Sequence, residues 1–304
     1  MNLSLEFLRA ILGEPWALTP VSGQPLARLN SFGIGGAAGL FCQPTTRDEL
    51  ARLFEIIQTH QAPWFIIGKG TNLICKEEDF EGVLIRLAGE FEQVRFAGPM
   101  VTVGAGLTDT KLAVKARNQG LKGAEFLVTI PGSLGGAVFQ NAGAHGLEMA
   151  DLIESVECFE PNKGFFRLQK SEMALGYRCS RFQESGELVL FGKLRLEPGD
   201  KTQIQAHEKA LLAQRKETQI WAHTFGSIFK NPKGQSAWAL IDQAGLRGKQ
   251  LGQVRISPKH ANFAENLGGG RSRDLIELIK LVQSEVFKQT GFSLVLEAQQ
   301  FPPE

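Results

Sequence analysis

Apolar positions in residues 46–60, TRDELARLFEIIQTH, fall at Leu50, Leu53, Phe54 and Ile57, the i, i+3, i+4, i+7 spacing that lines one face of an α-helix. Thr46 with Glu49 three residues on forms a capping-box pair, so the spacing predicts an amphipathic helix that starts there. The run that follows, APWFIIGKGTNLI, reads as a short strand ending at Gly68-Lys69-Gly70. With the later strand GVLIRL, residues 38–87 predict a β-α-β unit.

The pattern then changes. Residues 83–200 carry short β-patterned runs, among them MVTVGAG, IESVECFE and ELVLFGKLRL, separated by glycine. One helix, over about 109–119, interrupts them, with Thr108 at its N-cap and Gly120 just past its end. An α+β unit with much antiparallel sheet is predicted. From about residue 200 helical spacing returns in TQIQAHEKALLAQRKETQ and in SRDLIELIKLVQSEVFKQTG, which stops at Gly291. A last strand, FSLVLEAQQF, stands alone after that helix and is expected to pair with an earlier sheet. The expected division is 1–82, 83–200 and 201–292, with 293–304 rejoining the first part.

Composition adds exclusions. At 304 residues, with 43% hydrophobic and 21% charged positions, the chain reads as an ordinary folded protein of two or three units. Lys and Arg total 33 against 32 for Asp and Glu, a net charge of +1 that gives no field for steering to a nucleic acid. No apolar run reaches the roughly 18 to 20 residues a membrane span needs. The first residues, MNLSLEFLRAILGEPWAL, carry Glu6 and Glu14 and no basic leader, so neither a signal peptide nor an anchor is expected. Cys42, Cys75, Cys158 and Cys179 are scattered, with no CxxC or Cys/His cluster; buried thiols in a reducing cytoplasm are expected, with no metal site.

Glycine concentrates in NSFGIGGAAG (30–39), IIGKGTNLI (66–74), VGAG (103–106) and IPGSLGGAVFQNAGAHG (130–146). Each is either a plain turn or a place where backbone N–H groups approach a phosphate. None matches the dinucleotide fingerprint: Gly33-Ile34-Gly35 follows a turn-like RLNS, and Gly68-Lys69-Gly70 lacks the third glycine. The stretch around Ser133 and Asn141 has no charged residue to solvate it, so a buried loop with N–H groups turned toward a pyrophosphate is the economical reading.

Three side chains are candidates for chemistry. Ser227, in HTFGSIFKNP, follows Gly226 and is flanked by Phe225 and Phe229; without a GxSxG elbow it is not read as a nucleophile, and a turn or a proton donor remains. Arg178 in LGYRCSRF, beside the single tyrosine Tyr177, is either a surface residue or a fixed cation for a developing anion. Glu297 interrupts the apolar LVLEAQQF, where strand alternation points it either to water or to a buried face.

In their order, NSFGIGG, IIGKGTNLI, GLKGAEFLVTIPGSLGGAVFQNAGAHG, GYRCSRF, RKETQ, GSIFKNP, ALIDQAGLRG, SPKHANF and LEAQQ resemble the successive motifs of the UDP-N-acetylenolpyruvoylglucosamine reductase (MurB) family, from about residue 28 to 298. The resemblance implies an α+β fold: a two-part FAD-binding unit of the MurB/vanillyl-alcohol-oxidase-like type, in 1–82 and 83–200, plus a smaller α+β substrate domain in 201–292. It implies a flavoenzyme of peptidoglycan precursor synthesis, with FAD held non-covalently and NADPH as co-substrate. UDP-N-acetylglucosamine enolpyruvate would be the substrate of a cytoplasmic protein, with a monomer favoured.

Carried onto matching positions, Arg178 and Glu297 would polarise the substrate carboxylate and stabilise the enol form, and Ser227 would deliver the proton. Burial raising the pKa of Glu297 is part of that expectation. Flavin contacts are expected from Ile67, Gly68, Lys69, Gly70, Thr71, Asn72 and Leu73, and from Ile130, Pro131, Gly132, Ser133, Gly135, Gly136, Asn141, Ala142 and Gly143, with Arg215 on a phosphate. Tyr177, Lys230, Asn231, Lys259 and His260 are expected at the substrate. The chain departs from the family at AQQF after Glu297, at Glu265 in place of an apolar residue and at GKGTN in place of GGGSN; the extra substrate-capping loop of one branch is expected to be missing. Two rival readings are an alcohol-oxidising flavoenzyme of the same fold, with His145 as the one covalent-attachment candidate in the flavin loops, and a silent nucleotide-sugar binding protein.

Overall fold

The computed structural model describes residues 3–220 and 223–303, so the outer limits of the expected division, residues 1 and 304, lie outside the described residues. Helix Arg47–Thr59 forms where the apolar spacing places it and buries Leu50, Leu53, Phe54 and Ile57. Thr46 caps it by accepting the Glu49 N–H at 3.2 Å. The Glu49 carboxylate takes the N–H and hydroxyl of Thr45 at 2.6 and 2.8 Å and the Ala17 N–H at 2.7 Å. It thereby fixes the helix start and a second segment together. Strands Trp64–Ile66 and Phe80–Ile85 pair in parallel, next to Ala37–Cys42, completing the β-α-β arrangement.

Contacts divide the chain into two units. The first holds residues up to Ser22, Gly39–Lys69 and Glu81–Gln214. Its main sheet runs Gly164–Gln169, Ile153–Glu160, Leu188–Arg195, Met100–Gly104, Val94–Ala97, antiparallel at every pairing. Helix Asp109–Asn118 interrupts it, with Thr108 accepting the Lys111 N–H at 3.3 Å and Gly120 at φ 70° just past its end. A core of Leu40, Leu53, Phe54, Val101, Leu112, Leu134 and Val156 joins these elements.

The second unit holds Gly23–Ala38, Gly70–Phe80 and the chain from Arg215 on. Helix Ser272–Thr290 buries Leu275, Leu278, Ile279, Val282 and Val286 and ends at Gly291 with φ 74°. Beside it lies a three-stranded antiparallel sheet, Gln250–Leu251, Val254–Ile256, Ala264–Asn266. The chain end does return to an earlier segment: Gln299–Phe301 pairs in parallel with Leu73–Cys75, and the Phe301 ring packs on Phe80 at 5.0 Å. Upstream of Gln299 the expected continuous strand is replaced by one isolated bridge, Leu296 to Phe229, because its partner segment is irregular.

Burial pushes the thiols of Cys42, Cys75 and Cys158 up to about 12, as expected of small core residues, but Cys179 is exposed. Among the described residues no helix is long and apolar enough to cross a membrane, and no group of three His, Cys, Asp or Glu side chains could hold a metal.

Candidate active site

In the first unit the two expected flavin loops meet. Ile67 donates its N–H to Ile85 O at 2.8 Å, so the strand ends there and Gly68 begins the loop. A Cβ on Gly68 would stand 2.6 Å from Ser133 Oγ, and one on Gly132 would stand 2.6 Å from Asp109 Oδ2. One on Gly135 would meet Ala105 Cβ at 3.0 Å. A side chain at any of these positions would therefore crowd its neighbour.

The segment behind the loop is stitched to residues 105–109: Leu134 and Gly135 donate their N–H groups to Leu107 O and Ala105 O, both at 2.9 Å, and Thr108 bridges Ser133. This corrects the expectation that the whole glycine loop turns its N–H groups outward, since these two satisfy protein carbonyls. At the start of helix Leu134–Gln140 the Ser133 hydroxyl makes no cap bond.

Asn141 ends that helix at φ 42°, with its amide donating to Gly176 O at 2.9 Å and accepting the Ala150 N–H at 2.8 Å. Arg178 sits nearby at φ 52°, in a turn closed by reciprocal Gly176 and Cys179 backbone bonds of 3.0 and 3.1 Å. Its Nη2 donates to Gly143 O at 2.8 Å, and its guanidinium lies 5.2 Å from the ring of Tyr177, which is exposed. The Arg178 side chain is thus half-buried and oriented by the flavin-loop backbone.

In the second unit, Ser227 and Glu297 lie on adjoining backbone segments. Glu297 donates its N–H to Ile228 O at 2.9 Å, and Lys230 donates to Val295 O at 2.8 Å. Asn72, expected at the flavin, donates its amide to Glu297 O at 3.2 Å and accepts the Gln299 N–H at 3.0 Å. Ser227 and Glu297 are both half-buried, while Val295 points to solvent and Ala298 is in the core. Phe225 and Phe229 are core residues, each 1% exposed, rather than a water-excluding rim. Gly226 has φ 86° with nothing near a would-be Cβ, so glycine is needed there for its backbone angle and not for close approach.

Several expected ligand residues have structural duties. Asn231 Oδ1 accepts the N–H of Ala237, the first residue of helix Ala237–Gln243, at 2.9 Å, while the Ser236 side chain makes no cap bond. Lys259 is exposed and donates to Lys216 O. His260 packs edge-on to Phe263 at 4.6 Å, and burial lowers its pKa. Arg215 is half-buried in the second unit, where desolvation likewise lowers its pKa. Gly70 at φ 65° would place a Cβ 2.2 Å from Leu29 O. NSFGIGG folds on itself: Asn30 Oδ1 accepts the N–H groups of Phe32 and Gly33 at 3.1 and 2.8 Å, so there the turn reading prevails. In VGAG, Gly104 and Gly106 donate to Gln93 O and Phe91 O at 2.8 Å.

Residues 38–167 match the model of an FAD binding domain, and residues 217–301 that of the UDP-N-acetylenolpyruvoylglucosamine reductase C-terminal domain. The chain is 36% identical over 300 residues to UDP-N-acetylenolpyruvoylglucosamine reductase 2 of Symbiobacterium thermophilum, covering 98% of this chain and 97% of that one. It is 38% identical over 276 residues to the reductase of Lactobacillus acidophilus, 90% and 92% covered. The crystal structure of the Thermus caldophilus enzyme superposes with a TM-score of 0.81 at 36% identity, over 93% of this chain and 98% of that one. This chain belongs to the UDP-N-acetylenolpyruvoylglucosamine reductase family.

It has the family's α+β fold with a two-part FAD-binding unit, and FAD is its cofactor. The glycines at 68, 132 and 135 each face a protein side chain, of Ser133, Asp109 and Ala105, so they let the two loops pack closely within the FAD-binding domain. Two departures from the family pattern have local compensation. Glu265, buried, pairs with Arg255 at 2.6 Å, and Phe301 of AQQF fills the core.

Residue reasoning passed over Asn262, which stands in the quoted SPKHANF. It is 3% exposed and clasps the Ser227 segment: its Oδ1 accepts the Phe229 N–H at 3.0 Å, its Nδ2 donates to Phe229 O at 2.8 Å, and its own carbonyl accepts the Ile228 N–H at 2.8 Å. An Asn between apolar neighbours was the available signal. For Asn231→Ala, loss of the helix cap predicts a stability decrease of about 1 kcal/mol, measured as a shift of the urea midpoint.

Proposed function

We propose that the chain reduces UDP-N-acetylglucosamine enolpyruvate to UDP-N-acetylmuramate with NADPH as reductant, in the cytoplasm and as a monomer, for peptidoglycan precursor synthesis. FAD held by this unit would, once reduced by NADPH, supply the hydride for the substrate's methylene carbon. The neighbouring carbon is left with carbanion character beside a carboxylate, which calls for a fixed cation, an acid and a dry position. The observation that carries the residue assignment is the pairing of the Ser227 and Glu297 segments through Glu297 N–H and Ile228 O.

Ser227 gives its hydroxyl proton to that carbon; serine is a weak acid, but the acceptor is strongly basic, so position matters more than pKa. Arg178 offers an always-charged fork of donors to the developing anion, and its bond to Gly143 O holds it in place. Glu297 stabilises the enol form from the adjoining segment. Residues 67–73 and 130–143 hold the flavin, with Arg215 on a phosphate. Tyr177, Lys230, Asn231, Lys259 and His260 serve the sugar nucleotide, within the division 1–82, 83–200 and 201–292.

The deciding experiment is anaerobic. The flavin is reduced with NADPH, UDP-N-acetylglucosamine enolpyruvate is added, and the return of the oxidised flavin absorbance is followed. Reoxidation matched by UDP-N-acetylmuramate formation is expected; a flavin that stays reduced overturns the substrate assignment.

A further inference from the structure

Asp109, the first residue of helix Asp109–Asn118, is fully buried, and neither carboxyl oxygen has a hydrogen-bond partner among the described residues. An acid at a helix N-terminus ordinarily faces water, where the helix dipole favours its charge. This one lies under the glycine loop: Asp109 donates its N–H to Gly132 O at 3.2 Å, and its Oδ2 stands 2.6 Å from the site a Cβ on Gly132 would take. The adjoining Thr108 bridges Ser133. The side chain therefore touches the loop at Gly132 and is shielded from solvent.

No cation among the described residues pairs with it. Of the elements packed against it, the loop 130–133 carries no ionisable side chain, and in Glu125–Thr129 the carboxylate of Glu125 accepts the Gly123 N–H at 2.5 Å and lies 3.9 Å from His207 Nδ1. Lys122 pairs with Glu197 at 3.2 Å, and on the helix itself Arg117 is bonded to Glu208, while Lys111 and Lys115 complete its charges. Burial alone, with no charge partner, pushes the carboxyl up to about 8.

We propose that Asp109 is a positioning residue for the cofactor: its neutral carboxylic acid props the Pro131-Gly132-Ser133 loop in the shape that receives the FAD pyrophosphate, and its ionisation releases the cofactor. The reason is electrostatic. A carboxylate at that depth sets an unscreened negative charge directly beneath a loop that must face a phosphate dianion, in a medium where such charges act strongly. The inference rests on FAD occupying this loop.

The sign follows from linkage. The folded carboxyl holds its proton above the unfolded value of 3.8, so stability falls as pH rises from that value to about 8 and is level beyond it. FAD affinity behaves differently. It is constant up to about pH 8 and then falls by up to about tenfold per pH unit, because the bound state retains a proton that the free protein loses.

The test is titration of cofactor-stripped protein with FAD, read by quenching of flavin fluorescence, from about pH 6 to about pH 9.5, far below the unfolding temperature. Wild type is expected to lose affinity at the alkaline end, and Asp109→Asn, the same shape without a titrating proton, to bind at near wild-type strength with no slope. Equal wild-type affinity across the range, or the same slope in Asp109→Asn, overturns the proposal. If Asp109→Asn does not fold, Asp109→Leu and the wild-type profile decide it in the same way. A protein that takes up no FAD even near neutral pH overturns the flavin reading as well, which keeps the two failures distinct.

Discussion

Ser227→Ala is expected to slow reoxidation of the reduced flavin by the enolpyruvyl substrate about 10²- to 10⁴-fold, the usual contribution of a positioned acid, while NADPH reduces the flavin at the wild-type rate. The two half-reactions are separated by anaerobic stopped-flow absorbance. The asymmetry follows from where the residue stands. Phe225, Ile228 and Phe229 anchor its segment in the core, Gly226 sets the turn, and Asn262 holds the backbone, so removing one half-buried hydroxyl leaves the scaffold intact. Ser227→Cys, which restores a dissociable proton in nearly the same place, is expected to recover part of the rate. Equal slowing of both half-reactions would assign Ser227 to the scaffold instead of the proton transfer.

Asn262→Ala carries the second large effect. It leaves the N–H and carbonyl of Phe229, a residue 1% exposed, without the two side-chain partners they now have. An unsatisfied buried polar group costs about 1–3 kcal/mol, and here there are two, so a destabilisation of about 2–6 kcal/mol is expected in chemical denaturation. The Ser227 segment loses its clasp at the same time, so the substrate half-reaction is expected to fall even at temperatures where the variant stays folded. Asn262→Asp sets a buried carboxylate oxygen against Phe229 O in place of the amide donor, so a loss at least as large as that of the alanine variant is expected. An unchanged denaturation midpoint in Asn262→Ala would mean that water replaces the amide and that the clasp is dispensable.

The same contrast between side chain and backbone explains which of the proposed site residues were readable in advance. Arg178, Ser227 and Glu297 interrupt their surroundings chemically: a cation beside the single tyrosine, a hydroxyl between phenylalanines, an acid in an apolar run. Asn262 and Asp109 do not stand out in that way. An Asn between apolar neighbours in HANF is a weak signal and an acid at a helix start a common feature, and only burial together with the direction of their polar atoms marks them as unusual. The glycine-rich stretches show the converse. By composition alone all four could cradle a phosphate, yet Asn30 consumes the N–H groups of Phe32 and Gly33, and Leu107 and Ala105 consume those of Leu134 and Gly135.

Local physics is enough for the elements whose signals lie within one turn or one strand. The helices Arg47–Thr59, Asp109–Asn118 and Ser272–Thr290, their caps at Thr46, Thr108 and Gly291, and the antiparallel runs of 94–195 follow from spacing, capping residues and alternation in the sequence itself. The order of its motifs also determined the family. Tertiary structure alone decided what depends on partners remote in sequence: that Glu297 pairs with Ile228 and is tied to Asn72, that Glu265 meets Arg255, and that Asp109 lies beneath Gly132. The physical reason is that a hydrogen bond or a buried charge is defined by the group opposite it, and a one-dimensional pattern records the groups but not which of them face each other.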